Sequence, residues 1–242
     1  MKVAPKVILL FNDSHGSGAA IFSALRPCPN SDLQHREESF HLSLEKYGIR
    51  DLNASGKILH FESPTGVYEV SVLLLESYEP PILACAVSET LAAVAAGESS
   101  SVPTMVVPFV VPGTKLRAES KFSATTDNTQ IYGLQFGPSN DETQALSLKL
   151  PNPPPSLQIF HEQLACFLQF IRVLMLPTIV LIGKTGQSTH SLTSDEQLQA
   201  IYQIGEHLAS FSPLCLSRER ITLESSAKVS RENEEPWRAL YG

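Results

Sequence analysis

Two glycine-containing turns have residue types that fit phosphate binding. Gly16-Ser17-Gly18 and Gly183-Lys184-Thr185 each follow a short apolar run. A phosphate loop needs a glycine five residues before its last one, where this chain has Thr178. A dinucleotide-binding turn needs a third glycine, which is missing after Gly16-Ser17-Gly18 at the required spacing. Neither motif is complete, so one open alternative is a small-ligand- or nucleotide-binding α/β enzyme that uses the loops after Phe11 and Ile182.

The remaining chemistry-bearing residues lack the spacing of a catalytic or metal site. Among the seven histidines, no pair has the HxH or HxxxH spacing of metal ligands, and no GxSxG nucleophile elbow is present. The four cysteines are far apart and include no CxxC pair, which is typical of reduced thiols in the cytoplasm or nucleus. The sequence therefore predicts a cytoplasmic, additionally nuclear, protein that is not an enzyme and binds neither cofactor nor metal.

Composition and charge are those of a globular domain. Hydrophobic residues make up 43% of the chain and charged residues 18%, and the formal net charge is -7. No basic stripe with interleaved aromatic residues occurs, which argues against a nucleic-acid partner. The longest apolar segment, Leu157–Leu176, contains His161, Glu162 and Arg172. Because charges are costly at membrane depth, this segment is interpreted as a buried helix and not as a membrane span.

The apolar patterns alternate between strands and helices. Residues 12–56 are predicted to form loops with at most one short helix. A hairpin follows, with a turn at residues 63–66. Ile82–Val87 is interpreted as a buried strand, and Ser88 as the cap of a short helix over Glu89–Ala96. Further strands are predicted at Val7–Phe11, Thr104–Val111, Gln130–Phe136 and Thr178–Ile182, and a last helix from a capping box at Thr193 and Ser194 to Phe211.

These elements predict a single α/β domain over residues 1–216, with a mostly parallel or mixed central sheet flanked by helices. Residues 217–242 contain five basic and five acidic side chains and no amphipathic repeat. They are predicted to form a flexible tail.

The tail ends in Leu240-Tyr241-Gly242, a combination that suits docking into a pocket. A leucine fills an apolar notch, and a tyrosine adds a ring with a hydroxyl that finds a partner at the pocket rim. The terminal carboxylate is a ligand for a lysine or for a nest of backbone amides. This segment is therefore the candidate binding site of the chain.

The order of the central elements resembles that of the proteasome assembly chaperone 1 family. The resemblance covers roughly residues 66–210 and is diffuse, without a catalytic signature. The segments that carry it are Tyr68–Tyr78 leading into Ile82–Ala96, Thr104–Val111 leading into Thr114-Lys115, and Phe160–Leu176 before the strand Pro177–Ile182.

The resemblance implies a binding function without a cofactor. Members of that family end in a hydrophobic-Tyr-any motif that enters pockets between α-subunits of the 20S proteasome, and Leu240, Tyr241 and Gly242 occupy those three places here. It also implies a heterodimer with proteasome assembly chaperone 2, which promotes α-ring formation and prevents off-pathway α-ring dimers. A second alternative is a scaffold whose C-terminal peptide binds some other domain.

Overall fold

The computed structural model describes residues 1–97, 102–117, 130–186 and 194–221. Within these ranges a seven-stranded mixed sheet is flanked by five helices in one α/β domain. The helices are α1 (Ser17–Ala24), α2 (Ile82–Ala95), α3 (Asp141–Ser147), α4 (Glu162–Leu174) and α5 (Ser194–Phe211). The strands are β1 (Lys6–Phe11), β2 (Leu25–Pro27), β3 (Gln34–Ser43), β4 (Asn53–Glu62), β5 (Tyr68–Leu75), β6 (Thr104–Val111), β7 (Leu116–Arg117), β8 (Gln130–Phe136), β9 (Gln158–Ile159), β10 (Thr178–Lys184) and β11 (Leu214–Leu216).

The sheet has four parallel strands at its centre and antiparallel strands at both edges. Its order is β3-β4-β5-β1-β6-β10-β8. Strands β5, β1, β6 and β10 run parallel, whereas β3, β4 and β8 pair antiparallel with their neighbours. The predicted α/β class and mixed sheet are confirmed.

The core consists of two apolar layers, one on each face of the sheet. All eight residues of β6 are buried, as expected for a central strand covered on both faces. Leu9 of β1 belongs to the layer that includes α2 and α4, and the adjacent Ile8 belongs to the layer that includes α1 and α5. The alternation of side chains along a strand thus distributes each apolar run between the two layers.

The predicted strand at Ile82–Val87 is wrong, because a single helix runs from Ile82 to Ala95. Its inward side chains recur every three or four residues: Leu83, Ala86, Val87, Thr90, Leu91 and Val94. The helix is apolar on most sides, and periodicity cannot distinguish such a short run from a buried strand. The strand that precedes this helix is β5, so the βαβ unit consists of β5, α2 and β6.

Residues 12–56 contain more regular structure than predicted. They form α1, β2, β3 and the first part of β4, and β3 pairs with β4 over ten residues. The prediction failed because β3 is an edge strand, and its residues from Gln34 to Glu38 are mostly exposed and polar. Charged side chains on an edge strand protect its open hydrogen-bonding groups, and they also remove the apolar pattern that reveals a strand.

The predicted helix over Leu157–Leu176 begins later, at Glu162. Gln158 and Ile159 form β9, which pairs with β7. His161 is the N-cap, since its side chain accepts a hydrogen bond from the backbone N–H of Leu164. The other strands and the end of α5 at Phe211 agree with the prediction.

Two of the four cysteines form a bond that contradicts the prediction of reduced thiols. Cys28 and Cys215 are joined by a disulfide although 187 residues separate them in sequence. Pairing of β2 with β11 brings them together. Cys85 and Cys166 are free and partly buried.

The first residues assigned to the tail lie against the domain. Ser217 donates a backbone hydrogen bond to Ala24, Arg218–Arg220 forms one turn of 3-10 helix, and Ile221 packs on the core layer of α1 and α5. The rest of the predicted tail, from residue 222 to residue 242, lies outside the described residues.

Helix α1 packs on β1 so closely that one position accepts only glycine. A Cβ atom built on Gly18 would lie 1.9 Å from the carbonyl oxygen of Phe11. This contact explains one glycine of the Gly16-Ser17-Gly18 turn. Gly16 has the left-handed conformation that begins the helix, with φ 70°.

We predict that Gly18→Ala lowers the free energy of unfolding by about 1–3 kcal/mol, because helix and strand must separate to relieve a contact with rigid backbone. Urea denaturation followed by circular dichroism measures the change. Gly66→Asn is the matched control, since Gly66 has φ 78° with open space around it and asparagine tolerates that conformation. Equal stability of Gly18→Ala and the wild type would contradict the close packing.

Candidate functional site

The residues predicted to bind a partner, Leu240, Tyr241 and Gly242, lie outside the described residues. The alternative site is described at the loop after Phe11 and at the residues after Ile182 up to Gly186, whereas residues 187–193 lie outside the described ranges. Both loops lie at the edge where the parallel strands end, which is where α/β sheets of this kind bind ligands. Helices α1 and α5 begin at the same edge, and so does α4, because it precedes the next parallel strand, β10.

The loop after β1 is held by the carboxylate of Asp13. One oxygen of Asp13 accepts hydrogen bonds from the backbone N–H groups of His15, at 2.8 Å, and Ser17, at 3.2 Å. Burial raises the pKa of Asp13, while these backbone hydrogen bonds and nearby His15 act in the opposite direction. A phosphate at the start of α1 would need these same amide groups and would meet the carboxylate. The turn is therefore capped from within the chain.

Gln197 closes this loop from the opposite side. Its side-chain amide donates to the backbone oxygen of His15, at 2.9 Å, and to the hydroxyl of Ser17, at 2.8 Å. Both Gln197 and Ser17 are buried. The sequence suggested Gln197 only as part of a local capping box. No sequence signal indicates its contact with residues 180 or more positions away.

Gly183 and Lys184 belong to a strand and do not form a phosphate loop. Both pair with β6 and β8 as the last residues of β10. The position of Gly183 is crowded, since an added Cβ would lie 3.1 Å from Ile131 and 3.4 Å from Ile204. Glycine here allows α5 to pack on the sheet. The resemblance to a nucleotide motif thus results from helix–sheet packing.

His161 connects α4 to this edge. Its ring packs edge-on against Phe109, and its Nδ1 accepts from the backbone N–H of Leu164 at 3.3 Å. Burial, together with the charges of Lys115 and His15, lowers the pKa of His161 to about 4. The imidazole is therefore neutral at pH 7 and acts as a hydrogen-bond acceptor for the helix.

The described residues contain no group of three or more His, Cys, Asp or Glu side chains placed to hold a metal ion. Among the helices described, none has the length and apolar character needed to cross a membrane.

An apolar surface lies where α4 ends, at the side of the sheet where the parallel strands begin. Val173, Leu174 and Met175 follow one another there, with 80%, 39% and 57% of their surfaces exposed. Met175 has φ 53°, a left-handed conformation that is uncommon for this residue type. Three consecutive exposed apolar side chains are unusual on a free surface and typical of one that contacts another protein.

A family model described as a domain of unknown function, DUF7894, matches residues 1–242. The chain belongs to this family. No curated protein matches the DUF7894 chain.

Solved structures show that the DUF7894 fold occurs elsewhere. The unknown-function protein Rv2714 of Mycobacterium tuberculosis has a TM-score of 0.50 and 10% identity, over 89% of this chain and 72% of its own. A PAC2 family protein of Streptomyces avermitilis has a TM-score of 0.47 and 11% identity, over 89% of each chain. PbaA of Pyrococcus furiosus, an archaeal homolog of proteasome-assembly chaperone, has a TM-score of 0.42 and 11% identity, over 86% of this chain and 84% of its own. The similarity to Rv2714, at 10% identity, shows likeness of fold only.

We predict that the stability of the DUF7894 domain falls as pH decreases from 6.5 to 4, in part through His161. Its pKa is lower in the folded chain than its ordinary value of 6.5, so the unfolded state binds the proton first. The contribution of His161 to the free energy of unfolding is complete above pH 6.5 and is lost as pH falls through about 4. The free energy of unfolding should fall by roughly 2–3 kcal/mol over this range.

The variant His161→Asn separates this effect from other titrating groups. Asparagine caps a helix well and does not titrate, so it should keep α4 intact and make stability less dependent on pH. Urea denaturation at pH 4, 5, 6 and 7 measures both proteins. Parallel pH profiles for the wild type and the variant would show that His161 is not responsible.

Proposed function

We propose that this chain is a non-catalytic chaperone of 20S proteasome assembly that docks through Leu240-Tyr241-Gly242 between α-subunits. The observation that carries the proposal is the hydrophobic-Tyr-any order of these residues. The described domain extends to Ile221, so residues 222–239 connect it to the docking segment. Eighteen residues span at most about 65 Å when fully extended, which is enough to reach a pocket away from the domain.

The geometry of the sheet edge supports a binding function over an enzymatic one. The side chains of Asp13 and Gln197 already form hydrogen bonds with polar groups of the loop after Phe11. Gly183 lies in a closely packed position between β8 and α5. The archaeal chaperone homolog has a TM-score of 0.42 and adds no weight to the proposal. The proposal therefore rests on the terminal residues and on the order of elements in the sequence.

The proposed partner is proteasome assembly chaperone 2, in a heterodimer that promotes α-ring formation and prevents off-pathway α-ring dimers. The exposed Val173, Leu174 and Met175 supply an apolar surface for such a partner. Burying a side chain of this size contributes about 1.5–3 kcal/mol, so a few such residues are sufficient to anchor an interface. The proposal assigns the protein to the cytoplasm, with the nucleus as a second location.

We predict that deletion of Leu240–Gly242, or Tyr241→Ala, weakens binding to α-rings by about 10- to 100-fold. Burial of a leucine contributes about 1.5–3 kcal/mol and a charge-assisted carboxylate contact a similar amount, and ordering of the segment offsets part of this. Co-sedimentation with α-rings measures the loss. Thermal unfolding and partner pairing should be unchanged, because the segment lies beyond the described domain.

Addition of one residue after Gly242 is the sharper control. It keeps every side chain and moves only the carboxylate, so a carboxylate-dependent pocket should bind the extended chain almost as weakly as the deletion. A generic hydrophobic contact would tolerate the addition. If extended and wild-type chains co-sediment equally with α-rings, the docking mechanism is wrong.

We predict that the chain expresses poorly alone and that co-expression with the partner chaperone increases its yield. The double variant Val173→Asp, Met175→Asp should increase the recovery of the lone chain and weaken pairing at least tenfold, since a charged side chain is costly to bury. Leu148→Asp is the matched control, because Leu148 is 90% exposed and lies outside this surface. Pull-down with the partner measures the pairing. A monodisperse wild-type monomer at high concentration, or equal pairing of all variants, would contradict this surface.

A further inference from the structure

The Cys28–Cys215 bond joins two strands that hold each other weakly. Strands β2 and β11 form a separate two-stranded sheet with three residue pairs. One of these residues, Pro27, has no N–H to donate. A two-stranded sheet of this length is marginal by itself. The disulfide adds a covalent link between the segment after α1 and the strand that leads to residues 217–221.

Two arginines lie near Cys215 in the fold. Arg26 lies directly opposite Cys215 in the β2–β11 ladder, and side chains in such a pair lie close together on one face. Arg218 and Cys215 line the same surface cavity of about 160 Å³. A guanidinium near Cys215 attracts the anionic thiolate of a reductant to that sulfur, and so favours attack there. The cavity gives a reductant access to Cys215.

We propose that Cys28–Cys215 is a redox site, reduced in the folded protein by a dithiol, and that its reduction releases residues 217–221 from the domain. A thiolate of the dithiol attacks the sulfur of Cys215 and forms a mixed disulfide, and Cys28 leaves as the thiolate and takes up a proton. The second thiol of the reductant then displaces Cys215. The reductant is oxidised to its disulfide, and both cysteines become thiols.

The contacts around the two strands define how far the release extends. Leu214 is fully buried in the core layer of α1 and α5, so β11 keeps its anchor after reduction. Beyond it, the chain is held by the backbone bond from Ser217 to Ala24 and by a 3.4 Å contact between the Ser23 hydroxyl and the backbone oxygen of Arg220. The Arg218 guanidinium also lies 4.7 Å from the centre of the Tyr202 ring, and Ile221 packs on the core layer. These few contacts are lost more easily than the burial of Leu214. The site is independent of proteasome docking.

Differential alkylation of the full 242-residue chain, purified without reductant, tests the proposal. Cys28 and Cys215 should resist iodoacetamide in denaturant until they are reduced. Dithiothreitol should reduce them in native buffer, and peptide mass spectrometry gives the rate. Arg26→Gln and Arg218→Gln should each slow the reduction about 3- to 10-fold. Arg172→Gln, at the end of α4, is the matched control and should leave the rate unchanged.

Amide exchange measures the release. Reduction should accelerate exchange in residues 217–221 about tenfold or more, leave β1 and β6 unchanged, and lower Tm by about 5–10 °C. The double variant Cys28→Ser, Cys215→Ser should reproduce this pattern without reductant. Immediate alkylation of both cysteines, reduction only in denaturant, equal rates in the arginine variants, or unchanged exchange at 217–221 would each overturn the proposal.

Discussion

Burial of the central parallel strands on both faces is the constraint on which the rest of the structure depends. Strands β1, β6 and β10 are almost entirely apolar, so each face must be covered by a helical layer. Helices α2 and α4 cover one face, and α1 and α5 cover the other. Close approach of α1 then requires glycine at position 18, and the side chains of Ile131 and Ile204 leave little room at Gly183. Residues that resemble ligand-binding motifs in the sequence are thus explained by packing.

Three side chains at the carboxyl edge of the sheet form hydrogen bonds within the chain. Asp13 caps α1, Gln197 links α5 to the same loop, and His161 caps α4. Each of these side chains satisfies backbone groups that would otherwise be unpaired at a helix start or in a loop. An edge organised in this way stabilises the junction of three helices with the sheet. The proposed partner contacts lie elsewhere, at the exposed end of α4 and at the C-terminal segment.

The disulfide links the segment after α1 to the segment after α5. Cys28 follows α1 and Cys215 follows α5, and their bond fixes both helices at the same side of the sheet. Residues 217–221 leave from this point. The part of the chain that leads to the C-terminal segment therefore leaves the domain next to β2 and β11. The redox state of Cys28 and Cys215 and the proposed docking are separate properties, and both concern the part of the chain that follows β11.

Sequence alone determined the α/β class, the buried strands β1, β6 and β10, the hairpin of β4 and β5, and the end of α5. These features follow from local periodicity and turn residues, which are present in the chain itself. Only the tertiary structure decided that Ile82–Val87 is helical, that β3 forms an edge, that Cys28 bonds Cys215, and that Gln197 binds the loop of Ser17. Each of these depends on a contact between distant residues or on exposure at a sheet edge. The spacing of residue types along the sequence does not indicate such contacts, because they form only when the apolar layers pack.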